Sequence, residues 1–310
     1  MPCSDVNGVY YFGATPGQCG TAAPGIASTA FTLYAVVFDA HANYNAGTLE
    51  LKRRFSGGLS WDSSFTWAHA ISESDTNNSG AILLGNASHS EDPLDRHVDR
   101  SESQFSFRRR FTTNAVYELP FGRGKKYMSD ASGLTNAILG GWQVTTLSEV
   151  RDGIPFSVLA GVGITNVGDN LTFPDRPNIL RKNPVLGHVS QYFDPLAYQL
   201  QAPGYLGTAA RNSVVGPGFV DWDMGFGKTF KVTEKSNLQF RADFFNIINH
   251  PNLDLPANQL YVAGANPSVA NTCGLSTSQL LSYSCNPQAG LITRSVGTPR
   301  EVQFALKYTF

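Results

Sequence analysis

From Glu301 to Phe310 the chain alternates polar and apolar residues: Val302, Phe304, Leu306, Tyr308 and Phe310 fall on one parity, Glu301, Gln303, Ala305, Lys307 and Thr309 on the other. A two-residue period is that of a β-strand with one greasy and one polar face. The same period recurs upstream. Leu49, Leu51, Arg53 and Phe55 oppose Thr48, Glu50, Lys52 and Arg54, and after Ser56-Gly57-Gly58 turns the chain, Leu59, Trp61, Phe65 and Trp67 oppose Ser60, Asp62, Ser64 and Thr66. That completes a hairpin. Further alternating runs place strands at 43–55, 59–69, 104–119, 139–151, 219–231, 237–248 and 300–310. In the third, Phe105, Phe107, Arg109, Phe111 and Tyr117 share the greasy parity, and in the fourth, Trp142, Val144 and Val150 do so more weakly.

Two architectures use such strands. A soluble sandwich turns the greasy faces inward, whereas a membrane barrel turns them outward into lipid and the polar faces into the lumen. The connections decide between them. They run short, long, moderate, long, short, long, with polar or proline-punctuated stretches at about 71–103, 153–218 and 249–298. Tight periplasmic turns alternating with large extracellular loops are the asymmetry of outer-membrane barrels, and several loops of this length are unusual in a soluble domain. Aromatics also gather at the short-turn ends (Phe55, Trp61, Tyr117, Trp142, Phe230, Phe240, Tyr308, Phe310), as an interfacial girdle requires. The fold class expected is therefore all-β, an antiparallel transmembrane β-barrel with long extracellular loops, in the bacterial outer membrane. Residues 1–42 read as a loop region with a possible strand at 29–38 that lacks a polar face, and residues 43–310 read as barrel.

Composition narrows this further. With net charge -1 and 15% charged residues there is no basic excess to suggest a nucleic-acid partner. No run of 18 or more apolar residues occurs, which removes a helical span and leaves a barrel untouched.

Candidate chemistry is sparse. The six histidines (His41, His69, His89, His97, His188, His250) are scattered, with no HExxH or Cys/His metal spacing, and no Gly-x-Ser-x-Gly elbow occurs. Neither a catalytic nor a cofactor site is expected. Gly227-Lys228-Thr229 imitates the end of a phosphate loop, but Trp222 stands where that loop needs its first glycine. Lys228 and Arg53 read instead as side chains snorkelling at the periplasmic edge. Arg109, nearer the outer end, is a candidate partner for an anionic lipid headgroup as well as a simple snorkeller. The acidic cluster Glu91, Asp92, Asp95 and Asp99 offers oxygen ligands without the spacing or central glycine of a calcium loop, so it reads as a solvated loop. The polar parity supplies candidate lumen-facing residues: Glu50, Lys52, Arg54, Arg108, Arg110, Glu118, Arg241 and Asp243, either as a functional lining or as ion pairs of the wall. Four cysteines allow three pairings, and Cys3 with Cys19 and Cys273 with Cys285 close the shortest loops. Strand counting back from the terminal strand puts the second pair in an extracellular, oxidising loop.

Several stretches carry a family resemblance. Asn43-Tyr44-Asn45-Ala46, Lys52-Arg53-Arg54-Phe55-Ser56-Gly57-Gly58-Leu59-Ser60, Phe65-Thr66-Trp67, Tyr117-Glu118-Leu119-Pro120-Phe121-Gly122-Arg123-Gly124-Lys125-Lys126, Gly140-Gly141-Trp142-Gln143 and Gln239-Phe240-Arg241-Ala242-Asp243-Phe244-Phe245-Asn246-Ile247-Ile248-Asn249-His250-Pro251-Asn252 resemble the C-terminal barrel of Oar-like TonB-dependent receptors. The final Phe304, Leu306, Tyr308 and Phe310 resemble the C-terminal signal read by the barrel assembly machinery. The resemblance implies a plugged barrel of about 22 strands, of which this chain would be the last seven or eight. A plug, a TonB box and a carboxypeptidase-regulatory-like module would lie outside it, so contact with the TonB complex would run only through that other part. It implies energised uptake of an unknown extracellular ligand, with outer-membrane lipid and lipopolysaccharide around the wall. A structural or adhesive barrel that transports nothing is the alternative. Seven strands cannot close an up-and-down barrel antiparallel, so the sheet is expected to need further strands to complete it.

Overall fold

The computed structural model describes residues 3–4, 10–11, 40–75, 91–92, 95–161, 175–202 and 205–310. Its centre is one antiparallel meander of seven long strands: β1 (Ala42–Ser56), β2 (Leu59–Ser72), β3 (Arg109–Glu118), β4 (Trp142–Arg151), β5 (Phe219–Lys231), β6 (Asn237–Phe245) and β7 (Glu301–Thr309). Each strand pairs with its neighbours in sequence, and the short strand Ser101–Glu102 adds to the end of β2. The possible strand at 29–38 lies outside the described residues. Within 1–42, Cys3–Ser4 pairs with Tyr10–Tyr11.

The register carries one greasy face across the whole sheet. Leu49 opposes Phe65, Phe65 opposes Phe111, Phe111 opposes Val150 and Val150 opposes Val220. Further along, Val144 opposes Phe226, Phe226 opposes Ala242 and Ala242 opposes Phe304. A one-residue slip anywhere would put these side chains on the wrong side, so the pattern fixes the register. Leu49, Trp67, Phe304 and Leu306 are each more than 60% exposed, which in water would be an aggregation surface and in a bilayer is the lipid contact.

Hydroxyls on this face are not left bare. Trp61 Nε1 donates to Thr113 Oγ1 at 2.9 Å and Trp222 Nε1 to Thr146 Oγ1 at 2.7 Å, while the two threonines lie in reach of the Asp62 and Asp223 carbonyls. An unpaired indole N–H or hydroxyl in hydrocarbon costs several kcal/mol, roughly, so these cross-strand bonds explain how Ser and Thr sit among aromatics.

Four strand boundaries differ from the sequence expectation by three residues or more, and the simplest is that β2 runs on to Ser72 rather than stopping at 69. The third strand begins at Arg109, not at 104, because Gln104 N–H is taken by Asp75 Oδ2 and Ser106 N–H turns back to Ser103 O. The bend carries Phe107 to the polar side, where its ring lies 4.4 Å from the Arg151 guanidinium. Residues expected to open the fourth strand are instead the end of a helix, α1 (Gly133–Leu139), and a glycine turn. The sixth strand stops at Phe245, where Asn246 takes a positive φ and bonds the carbonyls of His250 and Thr298.

The two longest loops, expected to be irregular, pack together into a cap with its own core. Phe156, Val158, Phe193, Tyr198, Val214, Leu260 and Tyr261 are buried within it, along with the Cys273 and Cys285 pair. Short antiparallel pairs hold its edges, such as Pro155–Phe156 with Val214–Val215 and Tyr261–Ala263 with Tyr283–Cys285. Backbone bonds join one loop to the other: Leu159 N–H to Asn258 O, Tyr261 N–H to Ala160 O, and Ile292 N–H to Val189 O. Contact between them is close enough that a Cβ at Gly216 would collide with the Leu255 side chain. Sequence periodicity is blind to such a core, because its apolar residues are spread over loops with no repeating spacing.

Cys273 and Cys285 form a disulfide with Cα atoms 5.6 Å apart. The pairing of Cys3 and Cys19 lies outside the described residues. Closing a loop of this length stabilises by roughly 3 kcal/mol. Cys273→Ser with Cys285→Ser is therefore expected to make the cap sensitive to protease added outside intact cells. The wall strands keep their heat-modifiable gel mobility, since no wall residue contributes to that bridge.

Candidate functional site

The polar face gathers most of the lumen-facing candidates. Glu50 and Lys52 on β1 pair with each other, and Lys52 Nζ lies 3.5 Å from Asp62 Oδ2 on β2. Arg110 Nε donates to Glu149 Oε1 at 3.0 Å, and Arg151 shares that carboxylate at 3.3 Å. Arg241 Nε donates to Asp243 Oδ1 at 2.9 Å, and Lys125 Nζ to Glu118 Oε2 at 3.0 Å. Arg54 stands at the irregular end of β1, where the register shifts. Arg108 precedes β3 and donates to both oxygens of Glu102. These are exposed pairs, each contributing about 0–1 kcal/mol, so their weight is in the charge pattern they present. Asp243 and Thr145 lean over Gly225, where a Cβ would meet both side chains at under 3 Å. Apolar Leu147, Phe219 and Phe245 also share this face, which the simple alternation did not announce.

Arg109 and the acidic loop end differently from the sequence reading. Arg109 closes a bidentate pair with Asp152, both bonds at 2.9 Å, so a protein carboxylate already meets its charge. Arg53 Nη2 donates to the Ser56 carbonyl in its own turn at 3.0 Å. Lys228 is only 5% exposed and does not reach water: its Nζ donates to the carbonyls of Ala137 and Ile138 at 2.6 and 3.1 Å.

Glu91 and Asp99 do not lie in a solvated loop as expected: both carboxylates are nearly shielded from solvent. Arg176, from the next long loop, pairs with Glu91 and donates to Asp99 Oδ1 at 2.7 Å, to Ala209 O at 2.9 Å and to Val98 O at 3.1 Å. Arg211 pairs with Asp75 and the Ser72 carbonyl and donates to Asp99 O at 2.8 Å. Asn212 adds a bond to Glu102 O at 2.8 Å. Both guanidiniums are buried. Among the described residues no group of three His, Cys, Asp or Glu is arranged to hold a metal. The arginines were visible in the sequence, but no local signal tied them to carboxylates 77 and 136 residues away.

The electrostatics of this junction pull two ways. Burial pushes the Asp75 carboxyl up, but the Ser72 hydroxyl, Arg211 and the Gln104 N–H outweigh it and hold it below the ordinary carboxylate range. Burial pushes Glu91 up to about 7 against the attraction of Arg176, because that single guanidinium is shared with Asp99, and Asp175 and Asp99 both oppose a further negative charge. The N–H of His41 holds Glu73 low.

A seven-stranded antiparallel sheet with an outward greasy face, a charged opposite face and its longest loops gathered at one end is the wall of an outer-membrane β-barrel. The comparison with protein families agrees: the model for an outer membrane beta barrel domain matches residues 9–303, and the chain belongs to that family. Its place is the bacterial outer membrane. No curated protein matches it.

Two outcomes follow from the junction. Arg211→Met leaves Asp75 charged and buried without its guanidinium, at a cost of about 3–5 kcal/mol. The cap of this variant is expected to open to protease or to amide exchange well before the wall does. For Glu91 the folded value lies above the unfolded one, so its contribution is fully present below about pH 4.5. It is lost as pH rises to about 7, on the order of 3 kcal/mol at most. Cap protection measured by hydrogen exchange should fall across that window and level off above it. Glu91→Gln should flatten the profile, and an unchanged slope would refute the assignment.

Proposed function

We propose that this chain forms the C-terminal wall of a TonB-dependent receptor-like transporter, with the cap as part of its extracellular ligand-receiving surface. The observation that carries the reading is the charged face: ion pairs from β1 to β6 form one polar surface opposite the lipid face, suited to a lumen occupied by a folded plug. The Oar-like motifs support it. Phe304, Leu306, Tyr308 and Phe310 at the end of β7 suit recognition by the assembly machinery.

The test uses a photo-crosslinking residue in place of Arg110 or Arg241 in the full gene product in cells. Crosslinks to a plug polypeptide are expected from both. A lumen that yields no polypeptide crosslink from either position, while Phe111 replaced in the same way crosslinks to lipid, would favour a barrel without a transport plug.

A further inference from the structure

The connection between β3 and β4 is unlike the other turns at its end of the sheet. Gly57–Gly58 and residues 232–236 turn the chain tightly, whereas 119–141 fold into a small body containing α1. None of the seven residues of α1 is buried, and Leu134, Ile138 and Leu139 are 75%, 55% and 48% exposed. A helix of this length is not stable on propensity alone. Leu134 and Ile138, four apart, share one side of it.

What holds α1 is the greasy face of the sheet. Lys228, whose neighbours in register are Trp142 and Phe240, sends its ammonium to the Ala137 and Ile138 carbonyls. Trp142 Nε1 donates to Ile138 O at 2.8 Å. The Lys228 ammonium also lies 5.5 and 5.0 Å from the Trp142 and Phe230 ring centroids. The helix end is thus bolted to the outside of the wall at the aromatic girdle, where hydrocarbon gives way to headgroups. A cation meeting the last carbonyls of a helix also answers its negative end. The Phe121–Tyr127 ring pair and Met128 add exposed apolar surface in the same connection. Among the described residues no carboxylate pairs with Arg123 or Lys126, and the Lys126 ammonium lies 5.4 Å from the Tyr127 ring centroid; Lys125 is engaged by Glu118, and Asp130 is the one acidic group within the connection.

We propose that residues 119–141 are an interfacial membrane anchor: α1 lies in the periplasmic leaflet with Leu134 and Ile138 among acyl chains, and Arg123 and Lys126 face anionic phospholipid headgroups. Continuity with the lipid-facing wall selects lipid over a protein partner, because Lys228 and Trp142 fix the helix on the side where the bilayer already lies. A girdle lysine in this position serves the protein backbone, which releases the helix's apolar side for lipid. The inference stands on the barrel fold alone and is independent of transport.

The experiment places a nitroxide label on Leu134→Cys and, separately, on Ile138→Cys and Arg123→Cys in the full gene product. Each variant is first checked for heat-modifiable mobility and then reconstituted in phosphatidylcholine vesicles with or without phosphatidylglycerol. Collision with oxygen and exclusion of a water-soluble nickel chelate are expected at 134 and 138, with nickel access at 123. Nickel access at 134 and 138, or shielding from both reagents, would overturn the proposal. Removing both charges, Arg123→Gln with Lys126→Gln, is expected to lower the preference for retained phosphatidylglycerol over phosphatidylcholine on the order of tenfold. An unchanged preference would overturn the headgroup contact.

Discussion

The constraint on which the structure rests is that no backbone N–H or C=O within the hydrocarbon can turn to water. Antiparallel pairing satisfies it from strand to strand, and the ladder is continuous from β1 to β7. Once the backbone is committed in this way, side chains have only two directions available. The greasy parity is obliged to face lipid, and every polar atom on it needs a local partner. Trp61 with Thr113 and Trp222 with Thr146 show the solution: the amphipathic ring fills lipid-facing area while its N–H silences a hydroxyl on the next strand.

Beyond the strand ends that constraint lifts and another takes its place. The loops at the extracellular end are large enough to bury residues such as Phe193, Tyr198 and Leu260 completely, so they fold by the same hydrophobic burial as a soluble domain. The cap is joined to the wall by polar groups. Asp75 just past β2, Glu102 beside it and Asp99 accept bonds from Arg211, Asn212 and Arg176, three side chains of one loop. Two arginines among several carboxylates and carbonyls make a junction that is costly to break and specific in direction, since each guanidinium matches a planar fork of acceptors.

This division explains what could be read from the residues. All seven wall strands were legible, because a strand between lipid and a polar interior is governed by a single alternating variable. Where other chemistry competed, the alternation misled: Phe105 and Phe107 continue the pattern of β3, yet Asp75 captures the Gln104 N–H and bends the chain. The period also missed α1, which is too short and too exposed to show a helical stripe. The acidic residues 91–99 were legible as a cluster but not as a partner set, since their arginines arrive from a distant loop. Arg109 and Lys228 were rightly singled out as charges in a greasy setting. Their partners, Asp152 and the carbonyls of α1, depend on the fold of connections with no periodicity.

The placement of the buried pairs bears on how the cap can act. Arg211 touches Ser72 and Asp75 at the end of β2 and the carbonyl of Asp99 in one loop, while the neighbouring Asn212 bonds Ser157 near the start of the next. A movement of the cap as a whole would break the buried Arg211–Asp75 pair with its hydrogen bonds, which is more costly than breaking exposed pairs such as Arg110 with Glu149. The cap therefore moves, if it moves, at its outer portions, away from this junction. The Arg176 site is the softer of the two anchors above neutral pH, because there Glu91 must carry a charge that its burial opposes, whereas the partners of Asp75 favour its charged form. Rigidity is concentrated where loop meets strand, and freedom is left to the surface that faces outward.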